Sequence, residues 1–185
     1  GSGEIITFNK KDRNFNIKKY FDYVPSLFDE SDIKTLVSKH SLVLNRTFKR
    51  LKKYCKNKQI LVPLSSGLDS RLIVHELKKH NFQNVICFSY GKDRNKESMI
   101  SKNIATKLGF KWFFVKYSNK TWEKTFNSLK FKKYFFDNAN FHALPHIQDF
   151  PAVEYLNKNK LIEKNAVFIP GHTGDFIAGG HILPI

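Results

Sequence analysis

The chain has 185 residues, and its 32 Lys and Arg against 16 Asp and Glu give a formal net charge of +16. A hydrophobic share of 41%, with 18 Phe, 7 Tyr and 2 Trp, excludes an intrinsically disordered chain, because such a chain lacks the apolar surface that offsets the entropy lost on ordering. No apolar run approaches the roughly 20 residues that cross a bilayer, and no stretch near the N-terminus resembles a signal peptide. We therefore expect a soluble, cytoplasmic protein without a membrane partner.

The predicted elements start with a lead-in segment, residues 1–31, which contains one short extended piece at residues 4–8. From Asp32, apolar residues recur at helical spacing as far as Leu51, with Lys and Arg on the opposite face. This spacing predicts a long amphipathic helix at the start of a single domain that spans residues 32–185.

Short apolar runs then alternate with stretches of helical spacing. Four strands are predicted at residues 59–64, 84–90, 111–115 and 166–169. Helices are predicted at residues 68–77, at 95–108 with Gly109 as the stop, at 119–129, and from Pro145 or Pro151 toward residue 161. Nearly continuous apolar strands that alternate with helices indicate a parallel sheet that is covered on both faces. We therefore predict an α/β fold, doubly wound, with a mostly parallel sheet.

The first polar motif follows the first strand of this sheet and opens a helix. The junction contains small or hydroxylated residues, namely Ser65, Ser66, Gly67 and Ser70. The first amides of the helix point toward any ligand at this junction. Together with the helix dipole, this arrangement suits a phosphate. Asp69 fits there if a divalent cation lies between its carboxylate and the phosphate. The alternative is a structural Ser/Gly turn in which Asp69 interacts with the helix N-terminus.

The second motif follows the last predicted strand and places Asp175 among several glycines within residues 171–180. Ligands of open α/β sheets bind beyond the carboxyl ends of the strands. If the first and last strands are neighbours, Asp69 and Asp175 converge on one metal–phosphate site. The sequence has no GxxxxGK[ST], GxGxxG or GxSxG pattern, which argues against Walker-type NTPases, dinucleotide folds and hydrolases with a nucleophile elbow.

Other candidate sites have weaker support. Cys55 and Cys87 lie outside any CxxC pattern, which argues against a disulfide framework or a cysteine zinc site. His142 and His146 have the i,i+4 spacing of metal ligands, but a zinc site needs a third ligand, and a lone pair is more often structural. The positive charge makes nucleic acid a partner to consider, yet 27 of the 32 basic residues are Lys and lie scattered, whereas nucleic-acid grooves favour Arg.

Residues 65–70, SSGLDS, resemble the SGGxDS pyrophosphate loop of the N-type ATP pyrophosphatases, the PP-loop family, with Ser66 in place of the first glycine. Residues 171–180 resemble the GxGxDExxGG segment of the synthetase domain of asparagine synthetases, and the lead-in resembles the stretch that joins the glutaminase and synthetase domains of that family. The chain is therefore similar, over most of its length, to an asparagine synthetase-like synthetase domain.

This resemblance implies an adenine nucleotide α-hydrolase-like sheet with strand order about 3-2-1-4-5. It also implies an ATP-dependent amidotransferase or carbon–nitrogen ligase that activates a carboxylate as an acyl-adenylate and releases pyrophosphate, after which ammonia or an amine attacks. ATP and Mg²⁺ are the implied cofactors, with Asp69 and Asp175 as metal ligands and Asp69, Asp175 and His172 as catalytic residues. The residues implied to bind the nucleotide are Pro63, Leu64, Ser65, Ser66, Gly67, Asp69, Ser70, Phe88, Ser89, Tyr90 and Gly171.

Departures from the family pattern concern the substrate. His172 and Phe176 each replace a Glu of the asparagine synthetases, which argues against aspartate. The pattern with His resembles proteins of bacterial surface-polysaccharide pathways, which implies an amino acid or sugar acid as the small-molecule carboxylate. Without an N-terminal Cys nucleophile, ammonia is expected from a glutaminase domain or partner outside this chain. The chain stops soon after the second motif, so we expect a C-terminally truncated domain that is inactive alone.

Two alternatives remain from the sequence. One is a tRNA-modifying ATP pyrophosphatase, which shares the SGGxDS loop and would use the positive charge, although the paired cysteines of sulfur-transfer members are absent. The other is a non-catalytic nucleotide-binding module, which the substitutions at Ser66, His172 and Phe176 favour.

Overall fold

The computed structural model describes residues 3–21, 29–93, 95–139, 144–172 and 174. The chain forms two compact units, Gly1–Leu42 and Val43–Ile185. Helix α1, Ile33–Tyr54, begins in the first unit and ends in the second. The division proposed from the sequence, into residues 1–31 and 32–185, stays a prediction.

The first unit contains an antiparallel hairpin of two strands, β1 (Glu4–Asn9) and β2 (Asn14–Lys19). Arg13 closes its turn with a positive φ of 52°. The sequence predicted only the first of these strands. All six residues of β2 are exposed, and the alternation of Phe15 and Ile17 with polar residues is the strand signal that was missed.

The second unit is built on a parallel sheet of four strands in the order β5-β4-β3-β6. The strands are β3 (Ile60–Pro63), β4 (Val85–Gly91), β5 (Lys111–Lys116) and β6 (Val167–Phe168). Numbered along the chain within this sheet, the order is 3-2-1-4, as the sequence predicted for its first four strands. The described ranges contain no fifth strand of this sheet.

Helices cover both faces of the sheet, which confirms the predicted α/β class. The helices after α1 are α2 (Leu68–Lys79), α3 (Lys96–Leu108), α4 (Asn119–Phe126), α5 (Leu129–Ala139) and α6 (Phe150–Lys158). Alternate side chains of β3 point to opposite faces of the sheet. Ile60 and Val62 pack with α1, α2 and α3, and Leu61 packs with α4 and α6. Within the described ranges, every helix is too short or too polar to cross a bilayer.

One helix prediction needs correction. The helix predicted at residues 119–129 ends at Phe126, and the separate helix α5 was not predicted. Ser128 causes the break, since its hydroxyl donates to the Thr125 carbonyl and accepts from the Phe131 amide. The last helix, predicted to begin at Pro145 or Pro151, begins at Phe150 with Pro151 in its first turn, where the missing N–H has no cost, so the second of these starts agrees with the structure.

Candidate functional site

The loop between β3 and α2 is stabilised by its own serines. The Ser65 and Ser70 hydroxyl oxygens are 3.0 Å apart, and the Ser65 amide donates to Ser70 Oγ over 3.1 Å. The Gly67 amide in turn donates to Ser65 Oγ over 3.1 Å. Gly67 has an extended backbone and starts α2. The loop is therefore pre-shaped, with hydroxyl groups beside the first amides of a helix.

The second motif packs directly on this loop. The sequence analysis expected the two motifs to converge if the first and last strands of the sheet are neighbours, and β6 does lie beside β3. A Cβ atom on Gly171 would lie 3.0 Å from the backbone nitrogen of Ser70, and a Cβ on Gly174 would collide with the carboxyl group of Asp69. At both positions a residue other than glycine would force the neighbouring loop or the Asp69 side chain to shift. Asp175 and Phe176, which follow directly, lie outside the described residues.

A cavity of about 350 Å³ opens at this edge of the sheet, within the usual size range of ligand sites. Most of the residues predicted for the site line it: Pro63, Leu64, Ser65, Asp69, Ser70, Phe88, Ser89, Tyr90, Gly171 and His172. Ser66 and Gly67 are not among the lining residues, and the Ser66 hydroxyl lies 3.4 Å from Glu97 Oε1.

The cavity also contains residues that the sequence analysis missed: Asn95, Glu97, Ser98, Ser101, Gln148 and Asp149. The first four lie at the start of α3, which follows β4 and so begins at the same edge of the sheet as α2. Asn95 caps this helix by accepting a hydrogen bond of 2.7 Å from the Ser98 amide. The Asn95 cap and the strand before it are the sequence signals from which these cavity residues could have been predicted. Gln148 and Asp149 had no comparable signal, because an irregular stretch precedes α6.

Ser89, which the resemblance placed near the nucleotide, has partners within the protein. Its hydroxyl donates to the Leu64 carbonyl over 2.6 Å and accepts from Trp112 Nε1 over 3.1 Å. The Leu64 amide donates to the Phe88 carbonyl over 2.8 Å. These hydrogen bonds hold the ends of β3 and β4 together.

The far wall of the cavity combines buried phenols with a carboxylate. Burial raises the pKa of Tyr90, and the nearby Asp149 carboxylate raises it further. Burial likewise raises the pKa of Tyr117, whose ring stacks on that of Tyr90 at 4.8 Å between centroids. The Tyr117 hydroxyl donates to the Gln148 carbonyl over 2.6 Å and accepts from the Ala152 amide over 3.0 Å. Tyr117 thus holds the segment that carries Asp149.

Comparisons with known proteins agree with this arrangement. The NH3-dependent NAD synthetase from Campylobacter jejuni subsp. jejuni NCTC 11168, solved in complex with the nitrate ion, superposes with a TM-score of 0.50 at 13% sequence identity. The superposition covers 80% of this chain and 61% of that chain, so this chain spans about three fifths of that protein, and the likeness supports the fold. No curated protein matches the sequence. The family model described as asparagine synthase matches residues 52–181, which include both motifs, and the chain therefore belongs to the asparagine synthase family.

Proposed function

We propose that the chain is the synthetase domain of an ATP-dependent carbon–nitrogen ligase, which activates a carboxylate as an acyl-adenylate and releases pyrophosphate before ammonia or an amine attacks. Family membership supports an ATP-dependent ligase type of enzyme. The observation that carries the proposal is the direct packing of Gly171 and Gly174 on Ser70 and Asp69, at the ends of adjacent parallel strands.

The pyrophosphate part of ATP fits the loop between β3 and α2. Helix N-termini favour anions through free amides and the helix dipole. The hydroxyls of Ser65, Ser66 and Ser70 add donors, and the Gly67 amide becomes a further donor when it leaves Ser65 Oγ. Gly171 has no room for a side chain against Ser70, so the cradle depends on close backbone approach. We place the adenine against Pro63, Leu64 and Tyr90 on the same cavity wall.

Mg²⁺ fits the same place, because carboxylate and phosphate oxygens are the ligands that it prefers. Asp69 is half-buried in the cavity, and Gly174, whose neighbour in the chain is Asp175, packs against the Asp69 carboxyl group. We propose Asp69 and Asp175 as the ligands. The bound ion would neutralise the charge of the pyrophosphate leaving group.

The acyl substrate is proposed to bind beside Gln148 and His172, which line the cavity together with the pyrophosphate loop. Gln148 offers an amide group, and its backbone carbonyl is held by Tyr117. His172 replaces the acidic residue of the asparagine synthetases, so this end of the cavity suits an anionic acid other than aspartate. Ammonia would come from a glutaminase domain or partner outside this chain.

Calorimetric titration of the chain with ATP, in the presence and absence of Mg²⁺, tests the nucleotide site. We expect binding that depends on Mg²⁺ and that is lost in Asp69→Ala. Asp137→Ala is the matched control, since Asp137 is an exposed carboxylate paired with Lys133 on α5, and it should bind as the wild type does. Wild-type protein that fails to bind MgATP, or Asp69→Ala that binds it normally, would contradict the proposal.

Release of pyrophosphate tests the ligase reaction itself. The full-length protein with MgATP, an ammonium salt and single candidate acids, including aspartate and sugar acids, should release pyrophosphate with one class of acid and not with the others. MgATP binding without release under any of these conditions would favour the non-catalytic nucleotide-binding module.

A further inference from the structure

Two histidines and a buried carboxylate lie close together beside the cavity. All three residues are distant in sequence from the loop between β3 and α2. His146, Asp149 and His172 each offer one ligand atom, and these atoms all lie within 4.8 Å of one another. His146 Nδ1 is 2.6 Å from Asp149 Oδ2, and the two imidazole rings lie 4.2 Å apart between centroids. The sequence had placed His146 in an incomplete metal pair with His142, which lies outside the described residues.

Asp149 is the buried member of this cluster. It is only 6% exposed, its Oδ2 atom faces His146 Nδ1, and the Tyr90 hydroxyl is within hydrogen-bonding reach of its carboxylate, although neither oxygen receives a well-aligned hydrogen bond. Asp149 occupies the N-cap position of α6, yet its side chain does not cap the helix. Buried polar groups are nearly always satisfied by a partner, by water or by an ion. The carboxylate therefore faces two imidazoles rather than its own helix, and a cation held between these side chains would complete its partners.

The backbone on either side of the cluster is held in position. The Tyr134 hydroxyl donates to the His146 carbonyl over 3.0 Å, and the Tyr117 hydroxyl donates to the Gln148 carbonyl over 2.6 Å. His172 follows Gly171, which packs on the first loop with no room for a side chain. The ligand atoms therefore come from segments that the fold fixes before any ion binds, which lowers the cost of forming a site.

We propose that His146, Asp149 and His172 bind one divalent transition-metal ion, with Zn²⁺ as the first candidate. Zinc binds imidazole nitrogen and carboxylate oxygen at about 2.0–2.2 Å, which puts tetrahedral ligand atoms roughly 3.4 Å apart. The three ligand atoms already lie within 4.8 Å of one another, so binding of the ion requires them to adjust to that spacing. A pair of imidazoles also separates this site from the proposed Mg²⁺ site, because Mg²⁺ prefers oxygen ligands and imidazole favours zinc, copper, iron or nickel.

The location of the site indicates what the ion does. Asp149 and His172 line both the cavity of about 350 Å³ and a second cavity of about 780 Å³. Three protein ligands leave a fourth position open, as in catalytic zinc sites. An oxygen ligand from the cavity, either water or a carboxylate oxygen, completes the coordination. When that oxygen belongs to a carboxylate, the ion orients the acid that is to be activated. This role of the ion rests on the proposed function, whereas binding of the ion does not.

Titration with ZnCl₂ in the absence of nucleotide tests the site, with thermal unfolding as a second measurement and Co²⁺ as a spectroscopic probe of the geometry. We expect one equivalent of Zn²⁺ to bind and to raise the unfolding temperature. Asp149→Asn and His172→Gln should weaken binding by more than the roughly 10–100-fold that loss of an outer-shell partner costs. His75→Gln is the matched control, because His75 is an exposed histidine 3.4 Å from Glu76.

The outcomes separate this inference from the nucleotide site. Asp69→Ala should keep wild-type Zn²⁺ affinity although it loses MgATP binding. Failure of one proposal can therefore be told apart from failure of the other. Circular dichroism of each variant without metal checks the fold, and Asp149→Asn, which keeps the shape of the side chain, decides the matter if His172→Gln does not fold. No stoichiometric Zn²⁺ binding, or equal binding by wild type and Asp149→Asn, would overturn the proposal.

Discussion

Glu76 and Asp149 are two buried carboxylates that lie next to histidines and have very different partners. Glu76 is 3% exposed and accepts hydrogen bonds of 3.0 and 3.2 Å from Lys79 Nζ, one to each oxygen. His80 Nε2 lies 3.4 Å away on the same helix. Asp149 is 6% exposed and has only His146 at ion-pair distance among the contacts described, without an aligned hydrogen bond.

The difference helps to tell a structural carboxylate from a candidate ligand. Both oxygens of Glu76 accept hydrogen bonds from Lys79, three residues along the same helix. Asp149 has His146 three residues before it, and its other neighbours, Tyr90 and His172, come from distant parts of the chain. A carboxylate that its own helix satisfies stabilises the fold, whereas one that lines a cavity among residues from several segments is available to a ligand.

Replacing Glu76 should have the largest effect on stability. Glu76→Gln removes the charge that Lys79 and His80 face and replaces it with an amide whose NH₂ group is directed at donors. We expect a loss of about 2 kcal/mol, and no more, because Lys79 is half-exposed and can turn to water. Urea unfolding measures this loss, with Asp137→Asn, a substitution of an exposed carboxylate on α5, as control. A loss below about 0.5 kcal/mol would show that the helix does not depend on this cluster.

Tyr117→Phe should have the next largest effect, because it removes both hydrogen bonds that hold the segment around Asp149. The Ala152 amide would be left buried without its acceptor, which costs about 1–2 kcal/mol. Urea unfolding should show this loss, and Zn²⁺ affinity should also fall. Tyr134→Phe, which removes the more exposed hydrogen bond to His146, should cost less stability. Equal effects of the two variants would argue against a special role for Tyr117.

Asp149→Asn should cost less stability than Glu76→Gln in the absence of metal, because it keeps the side-chain shape and its ion-pair partner His146 is partly exposed and can turn to water. With Zn²⁺ present, the wild type should unfold at a higher temperature and the variant should not. Glu76→Gln should thus lower stability more than Asp149→Asn does, whereas Asp149→Asn should weaken Zn²⁺ binding more than Glu76→Gln does. A metal-free loss as large as that of Glu76→Gln would make Asp149 structural as well.

The smallest expected effect is on alkaline titration. Burial raises the pKa of Tyr90 above its unfolded value, and Asp149 raises it further. Because the folded pKa is the higher one, this contribution to stability is complete below the unfolded pKa of about 10 and is lost as pH rises through the folded pKa. Asp149→Asn should lower the pKa of Tyr90 in a phenolate absorbance titration, and Glu76→Gln should leave it unchanged. Identical titrations of both variants would contradict the placement of Asp149 beside Tyr90.

Much of the fold was predictable because its signals are local. The apolar runs that became β3 and β4 are continuous, since both faces of these strands are buried. Gly109 stops α3 with a positive φ of 75°, as a C-terminal glycine commonly does. The second strand of the hairpin was missed although Phe15 and Ile17 alternate with polar residues, and α5 was missed because its aromatic run has no clear period.

For the site, the two motifs and their position after strands can be read from the chain, because small residues and acids at strand ends are visible in its order. The folded protein is needed to show that β6 lies beside β3, which brings Gly174 against Asp69. It is also needed to show that Asp149 is buried and that His172 lies beside Asp149 and His146. The approach of His172 depends on the packing of α6 and on the sheet order, and no spacing along the chain encodes that distance.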